Sequence, residues 1–277
     1  MSIGEIAILG AGMHPWGKFV GKSFVDLGVH AARAALSDAD VDWDEIQFVS
    51  GANTVRNGYP GWVSASTFAN ALGFQGAQLA SSYAACASGV TALSIARAQI
   101  LSGICDVALV VGADQVPKGM FAPVPGDRPQ DVDWLRFRLL GLSNPAYFGL
   151  FARRRMALFG DTEEDFAAVK VKNSIHGSKN PNARFTKTFT KEDVEASPIV
   201  ADPLRLLEIC TTSDGGAALV VSSLKYAKQK GITNPVKISG ISTVGPTYPN
   251  AIIDMPYLSS DSWAVSGDPS HTFKNQI

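Results

Sequence analysis

Short apolar runs alternate with stretches whose apolar positions recur at every third or fourth residue, the pattern of an α/β protein. Ile6-Ala7-Ile8-Leu9, ending in Gly10-Ala11-Gly12, reads as a buried first strand. Phe24 to Ser37 predicts a helix with a small-residue face at Ala31, Ala34 and Ala35, and Asp38, Asp40 and Asp42 punctuate its end. Glu45 to Gly51 predicts a second strand, Gly58 to Gly61 a loop, and Trp62 to Leu72 a second helix stopped by Gly73. Gln78 to Tyr83 is a short extended run. After it, Val90, Leu93, Ile95, Ala96, Ile100 and Leu101 mark a buried helix ending before Gly103. Cys105 to Ala113 is the most strand-like run of the chain. Its unbroken apolar character predicts burial on both faces, as in a mainly parallel sheet.

Between Pro117 and Pro203 the pattern changes. Prolines and glycines cluster from Pro117 to Pro129, and helices are predicted over Trp134–Leu140, Ala146–Phe159 and Glu163–His176, the last with Thr162 as N-cap. Arg153-Arg154-Arg155 is either a solvated helix face or a contact for ligand phosphates. Asn180 to Arg184 reads as a turn. Long insertions over a compact core usually carry binding function. Asp202 to Cys210 predicts a short helix with Pro203 in its first turn. Ser213 to Val221 is a turn leading into another buried strand, followed by a short helix over Leu224–Lys230 and a new strand from Val236 to Ser242. The pattern dissolves after Pro246, and Asp268 to Phe273 could open a last helix before Ile277.

Composition narrows the partners. The formal net charge is −1, which gives nucleic acid no electrostatic foothold. No apolar stretch is long enough to span a bilayer, and the N-terminus has no signal-peptide pattern. Cys86, Cys105 and Cys210 lack disulfide or metal-ligand spacing, so no metal site is expected and a reducing cytoplasm is.

The chemistry concentrates at Tyr83-Ala84-Ala85-Cys86-Ala87-Ser88-Gly89. A strand, a tight turn and a helix meet there, with Cys86 at or near the helix start. Free N–H groups and the helix dipole at such a place favour thiolate, the reactive form. The flanking alanines and Gly89 leave room for a substrate carbonyl. The alternative is that Cys86 is one more small buried hydrophobe. Cys105 and Cys210 fall in apolar settings and read as structural. Gly10 and Gly12 could suggest a phosphate cradle, but Met13-His14-Pro15-Trp16 follows in place of a helix.

With these pieces placed, the chain resembles the thiolase superfamily, closest to sterol-carrier-protein-type thiolases, the lipid-transfer proteins of bacterial steroid breakdown. Three features carry the resemblance: Ala85-Cys86-Ala87-Ser88-Gly89 at the nucleophile motif, Ser213-Asp214-Gly215-Gly216-Ala217-Ala218 before the last strand of the N-terminal half, and the insertion between Ala113 and Pro203. The resemblance implies a layered αβα fold of two similar halves, each with a five-stranded mixed sheet. Residues 1–232 would form the N-terminal domain, with a loop domain at 114–202. Residues 233–277 would begin a truncated C-terminal domain. It also implies that Cys86 takes the acyl group of an acyl-CoA as a thioester. Coenzyme A is then substrate and product, with no tightly bound cofactor. A homodimer pairing through the strand ahead of the nucleophile is expected.

The resemblance has gaps. The family's base is a histidine in Gly-His-Pro, and none of His14, His30, His176 and His271 stands in that motif. The family's second cysteine is absent as well. The chain alone is therefore expected to show little or no turnover of acetoacetyl-CoA. Some lipid-transfer members are retro-aldolases that cleave β-hydroxyacyl-CoA side chains of steroids with a small OB-fold partner, using tyrosines for proton transfer. Tyr248, in Gly245-Pro246-Thr247-Tyr248-Pro249, is the candidate for that role or a surface loop aromatic, and Tyr83 is a second candidate or simple packing. A non-catalytic acyl-CoA or lipid binder is the third reading. Ketosynthases share the fold, with partner residues beyond residue 277.

Overall fold

The computed structural model describes residues 5–54, 64–116 and 144–244. The chain divides into two compact units. The first takes in Met1–Pro117, Asn182–Arg184 and Thr212–Thr243. Its described elements are β1 (Ile6–Gly17), α1 (Phe24–Ala39), β2 (Phe48–Ala52), α2 (Ser64–Leu72), β3 (Gln78–Ser82), α3 (Ser88–Leu101), β4 (Val107–Asp114), β7 (Asp214–Ser223), α7 (Leu224–Gln229) and β8 (Val236–Ile238). The strands form one six-stranded sheet in the order β3-β2-β4-β7-β1-β8.

The sheet is mixed. β2 runs parallel to β3 and β4, while β7 is antiparallel to both β4 and β1, and β8 is antiparallel to β1. The mainly parallel expectation is corrected here. β4 is buried on both faces because helices cover both sides of the sheet, whatever the direction of its neighbours. Val107, Leu109 and Val111 join Leu27, Ala31, Ala35 and Phe68 of α1 and α2 in one core layer. Ala108 and Val110, pointing the other way, join Ala92, Ala96 and Ile100 of α3 in the second.

β1 runs on as strand through Met13-His14-Pro15-Trp16, beyond the glycines. The glycines exist for packing. A Cβ on Gly12 would lie 2.1 Å from the Ala31 carbonyl oxygen, and one on Gly10 2.4 Å from the Ala39 nitrogen. They let α1 approach the sheet at backbone distance, so the phosphate-cradle reading falls. α1 itself starts on a capping box, with Ser23 Oγ accepting from the Asp26 N–H at 3.2 Å and the Asp26 carboxylate accepting from the Ser23 N–H at 2.8 Å.

α3 is only half buried. Ala92, Ala96 and Ile100 face the sheet, whereas Val90 and Leu101 on its opposite side are exposed. The expected buried helix is thus buried on one face only, because α3 has one sheet to pack on.

The second unit takes in Lys118–Pro181, Phe185–Thr211 and Val244–Ile277. It contains α4 (Asn144–Phe159), α5 (Glu163–Gly177), α6 (Lys191–Glu195) and the hairpin β5 (Ile199–Ala201) and β6 (Leu204–Arg205). Thr162 caps α5 as predicted, its backbone N–H donating to the Asp165 carboxylate at 2.8 Å. The helix expected over Asp202–Cys210 is absent. Leu204-Arg205 pairs with β5, and only Leu206–Glu208 makes a single helical turn. Leu206 N–H donates to the Pro198 carbonyl at 2.8 Å, which ties this segment into the hairpin. In the arginine triplet, Arg153 pairs with Asp202 and Arg155 with Asp161, as a solvated helix face would. The expectations for Gly58–Gly61, Trp134–Leu140, Tyr248 and Asp268–Phe273 lie outside the described residues.

Candidate active site

Because β2, β3 and β4 are parallel, their carboxyl ends meet one edge of the sheet, where α/β folds place reacting groups. Three segments leave that edge: Asn53-Thr54 after β2, Tyr83–Ala87 after β3, and Gln115-Val116 after β4. The start of β7 reaches it too, since Asp114 pairs with Gly215 across an antiparallel ladder.

Cys86 stands in a single helical turn, Ala85–Ala87, and is exposed to solvent. α3 begins two residues later at Ser88, so the thiol lies at the positive end of the helix dipole. The reading of Cys86 as one more buried hydrophobe does not describe this position. The residue before it, Ala85, has φ +46°, a left-handed conformation that costs an alanine energy.

Hydroxyl groups hold this turn. Ser88 is buried; its Oγ accepts the Ala84 N–H at 2.9 Å and donates to the Ala85 carbonyl at 2.7 Å. Ser82, the last residue of β3, donates to the Ser88 carbonyl at 2.9 Å. Ser50 of β2 donates to the Ala92 carbonyl at 2.7 Å and fastens α3 to the sheet one turn further on. Periodicity missed these serines. The surviving trace in the sequence is a hydroxyl on each side of a run of small residues.

The neighbouring segments are fastened just as closely. The Asp114 carboxylate accepts the Thr54 N–H at 2.9 and 3.0 Å, and Asn53 Nδ2 donates to the Ala113 carbonyl at 2.6 Å. Asp214 is buried and forms an ion pair with Lys18 at 2.9 Å. It also accepts the N–H groups of Phe19 at 3.0 Å and Val116 at 2.9 Å. Burial works against its charge, but the Phe19 N–H, the Lys18 ammonium and the Val116 N–H outweigh it and hold the carboxyl below its ordinary range.

The other candidates are scattered. Cys105 is buried, and its thiol is pushed up to about 11 by burial and by the adjacent Asp106, which makes it inert. Cys210 is exposed, against the structural role expected of it. It follows the Leu206–Glu208 turn, where the chain leaves the hairpin, instead of lying on the apolar face of a helix. Tyr83 is exposed and shares the Cys86 segment. His14 is buried, with Nδ1 against the Pro15 carbonyl at 2.8 Å and Nε2 against Lys22 Nζ at 3.2 Å. A carbonyl accepts and an ammonium donates, so Nδ1 faces an acceptor and Nε2 a donor. β2, β4 and β7 separate the strand of His14 from β3, a span of about 19 Å at ordinary strand spacing. Among the described residues, no cluster of His, Cys, Asp and Glu could hold a metal ion, and no helix is long and apolar enough to cross a membrane.

Comparison with known proteins adds the following. Residues 6–225 match the family model of the thiolase N-terminal domain. The chain is 33% identical over 226 residues to an acetyl-CoA acetyltransferase of Methanocaldococcus jannaschii, covering 81% of this chain and 57% of that protein. It is 30% identical over 247 residues to Sterol carrier protein 2 of Homo sapiens, covering 82% of this chain and 43% of that protein. Among solved structures, the Ltp2-ChsH2(DUF35) aldolase superposes with a TM-score of 0.69 at 28% identity, over 82% of this chain and 58% of that chain. The chain spans about half the length of the curated relatives it matches.

Proposed function

Since the chain belongs to the thiolase family, through the N-terminal domain of that family, we propose that it carries the acyl-accepting half of a thiolase-type acyltransferase acting on CoA thioesters of lipid or steroid side chains. Cys86 is the nucleophile. Its thiolate attacks the thioester carbonyl, the acyl group passes to the Cys86 sulfur, and coenzyme A leaves as the thiol after taking up a proton. The observation that carries this reading is the position of Cys86: exposed, on a strained turn, at the head of α3 and on the sheet edge where β2, β3 and β4 end. The three free cysteines suit the reducing cytoplasm in which we place the protein. Residues 114–202 we read as the loop domain over coenzyme A, within an N-terminal domain of residues 1–232 followed by the start of a second domain. The homodimer we propose pairs two copies along β3.

The test is labelling with a thiol-reactive acyl-CoA analogue followed by peptide mass spectrometry. Label is expected on Cys86 and absent from Cys86→Ala. Label on Cys105 or Cys210 in its place contradicts the assignment.

The similarity to the Ltp2-ChsH2(DUF35) aldolase favours a second reading, a retro-aldolase subunit that cleaves β-hydroxyacyl-CoA side chains beside an OB-fold partner. Tyr248 or Tyr83 would then move the proton. The two readings separate on Cys86→Ala, which abolishes acyl transfer and leaves retro-aldol cleavage largely intact. A chain that binds acyl-CoA and supports neither reaction, even with its remaining domain and partner supplied, is a binder.

A further inference from the structure

We infer that Ser88 is a positioning residue for Cys86: its buried hydroxyl clamps the backbone on both sides of Ala85 and holds the left-handed turn that presents the thiol. The inference rests on the proposed nucleophilic role of Cys86. Ala85 at φ +46° would relax to negative φ if nothing held it. What holds it is local. Ser88 Oγ takes the N–H of the preceding residue, Ala84, and gives its proton to the carbonyl of Ala85 itself. The Ser88 backbone N–H donates to that same Ala85 carbonyl, so two donors converge on one oxygen. Ser82 Oγ closes the loop from the strand side by bonding the Ser88 carbonyl. Both serines are buried. α3 has no side-chain N-cap of the usual kind at Ala87, its N-cap position. The hydroxyl that in most helices would serve the first turn here reaches backward to the turn before it. Ser88 touches neither substrate nor the reacting sulfur in this scheme. It acts through the backbone of residues 84 and 85.

The test compares alkylation of Cys86 by iodoacetamide in the full chain with that of Cys210, which is exposed in the other unit and serves as internal reference. Cys105, which is buried, reports on folding, because it alkylates only in chains that have opened. Ser88→Ala frees the turn, and the Cys86:Cys210 rate ratio falls by roughly fivefold as Ala85 leaves its strained conformation. Ser88→Thr keeps the hydroxyl and restores most of the ratio. Ser222→Ala removes another fully buried hydroxyl, on interior strand β7 beside the start of β4, and leaves the ratio unchanged. A Ser88→Ala chain with Cys105 protected and an unchanged or higher ratio overturns the clamp. So does a Ser222→Ala chain that loses the ratio equally, because the effect is then one of general stability. Iodoacetamide judges the clamp with no acyl-CoA present. A wild-type chain that alkylates at Cys86 but takes no label from the acyl-CoA analogue counts against the proposed function alone.

Discussion

Asp214 shows what one buried carboxylate does at this edge of the sheet. It gathers Lys18, the Phe19 N–H and the Val116 N–H at a single point, where the ends of β1 and β4 and the start of β7 meet. Its folded-state carboxyl titrates lower than in the unfolded chain, so its contribution is fully present above the ordinary carboxyl range. That contribution is lost as pH falls through the lowered folded value. Asp214→Asn is expected to cost about 2 kcal/mol at neutral pH, the scale of hydrogen bonds to a charged group. The gap from wild type should shrink as pH falls below about 4, because the wild-type chain then protonates on unfolding. Melting curves of both proteins from neutral to strongly acidic buffer check this, and a gap that widens in acid contradicts it. Cys86 was legible at this scale, since small residues around a cysteine at a strand-to-helix join are visible in one dimension. Ser82, Ser88 and Asp214 were not legible as partners. A hydroxyl or carboxylate bonded to backbone leaves no period, and its partner lies across a turn or, for Asp214 and Phe19, nearly two hundred residues away.

Among the elements, the seam between α1 and β1 decides how closely helix and sheet approach. Gly12 has no room for a side chain, because its Cβ would sit 2.1 Å from the Ala31 carbonyl oxygen and 2.4 Å from the Ala35 nitrogen. Those are backbone atoms and cannot swing aside, so Gly12→Ala must displace the helix. We expect a loss of about 3 kcal/mol, at the upper end of ordinary overpacking. Gly89 in the first turn of α3 is the opposite case. A Cβ there would meet no heavy atom within 4 Å. Gly89→Ala should stabilise by about 0.5–1 kcal/mol through helix propensity and unfolded-state entropy. Denaturant unfolding of the two variants settles the pair, and equal signs would refute the packing argument. The small-residue face of α1 was readable from Ala31, Ala34 and Ala35, but the reason for it was not: the glycines facing it on β1 mimic a phosphate-loop spacing. The failed helix over Asp202–Cys210 has a similar cause. Leu204 and Arg205 pair with β5, a tertiary contact that overrides the helical spacing of Leu206, Leu207 and Ile209.

For the molecule as a whole, alternating apolar runs gave the α/β class and the two core layers, while strand order and direction stayed hidden. The run in β4 reports that both its faces are covered, and it pairs parallel on one side and antiparallel on the other. Among the described strands, the order β3-β2-β4-β7-β1-β8 leaves β3 at an edge, hydrogen-bonded to β2 alone. Beside that edge, Leu79, Tyr83, Val90, Leu101 and Ile104 are all exposed, at 39% to 53% of their full area. An open strand edge flanked by apolar side chains is a feature that folded proteins normally cover. A second copy related by a two-fold axis would cover it with the same residues on both sides, as in the homodimer proposed above. That arrangement would join two β3 strands antiparallel and bring the two Cys86 turns to the same interface. Leu79→Asp places a charge in the middle of β3 without touching either core layer. Sedimentation of the wild-type chain is expected to give a dimer and that of Leu79→Asp a monomer, with unchanged circular dichroism. If the wild-type chain sediments as a monomer at all concentrations tested, another surface must cover the strand, and pairing through β3 is wrong.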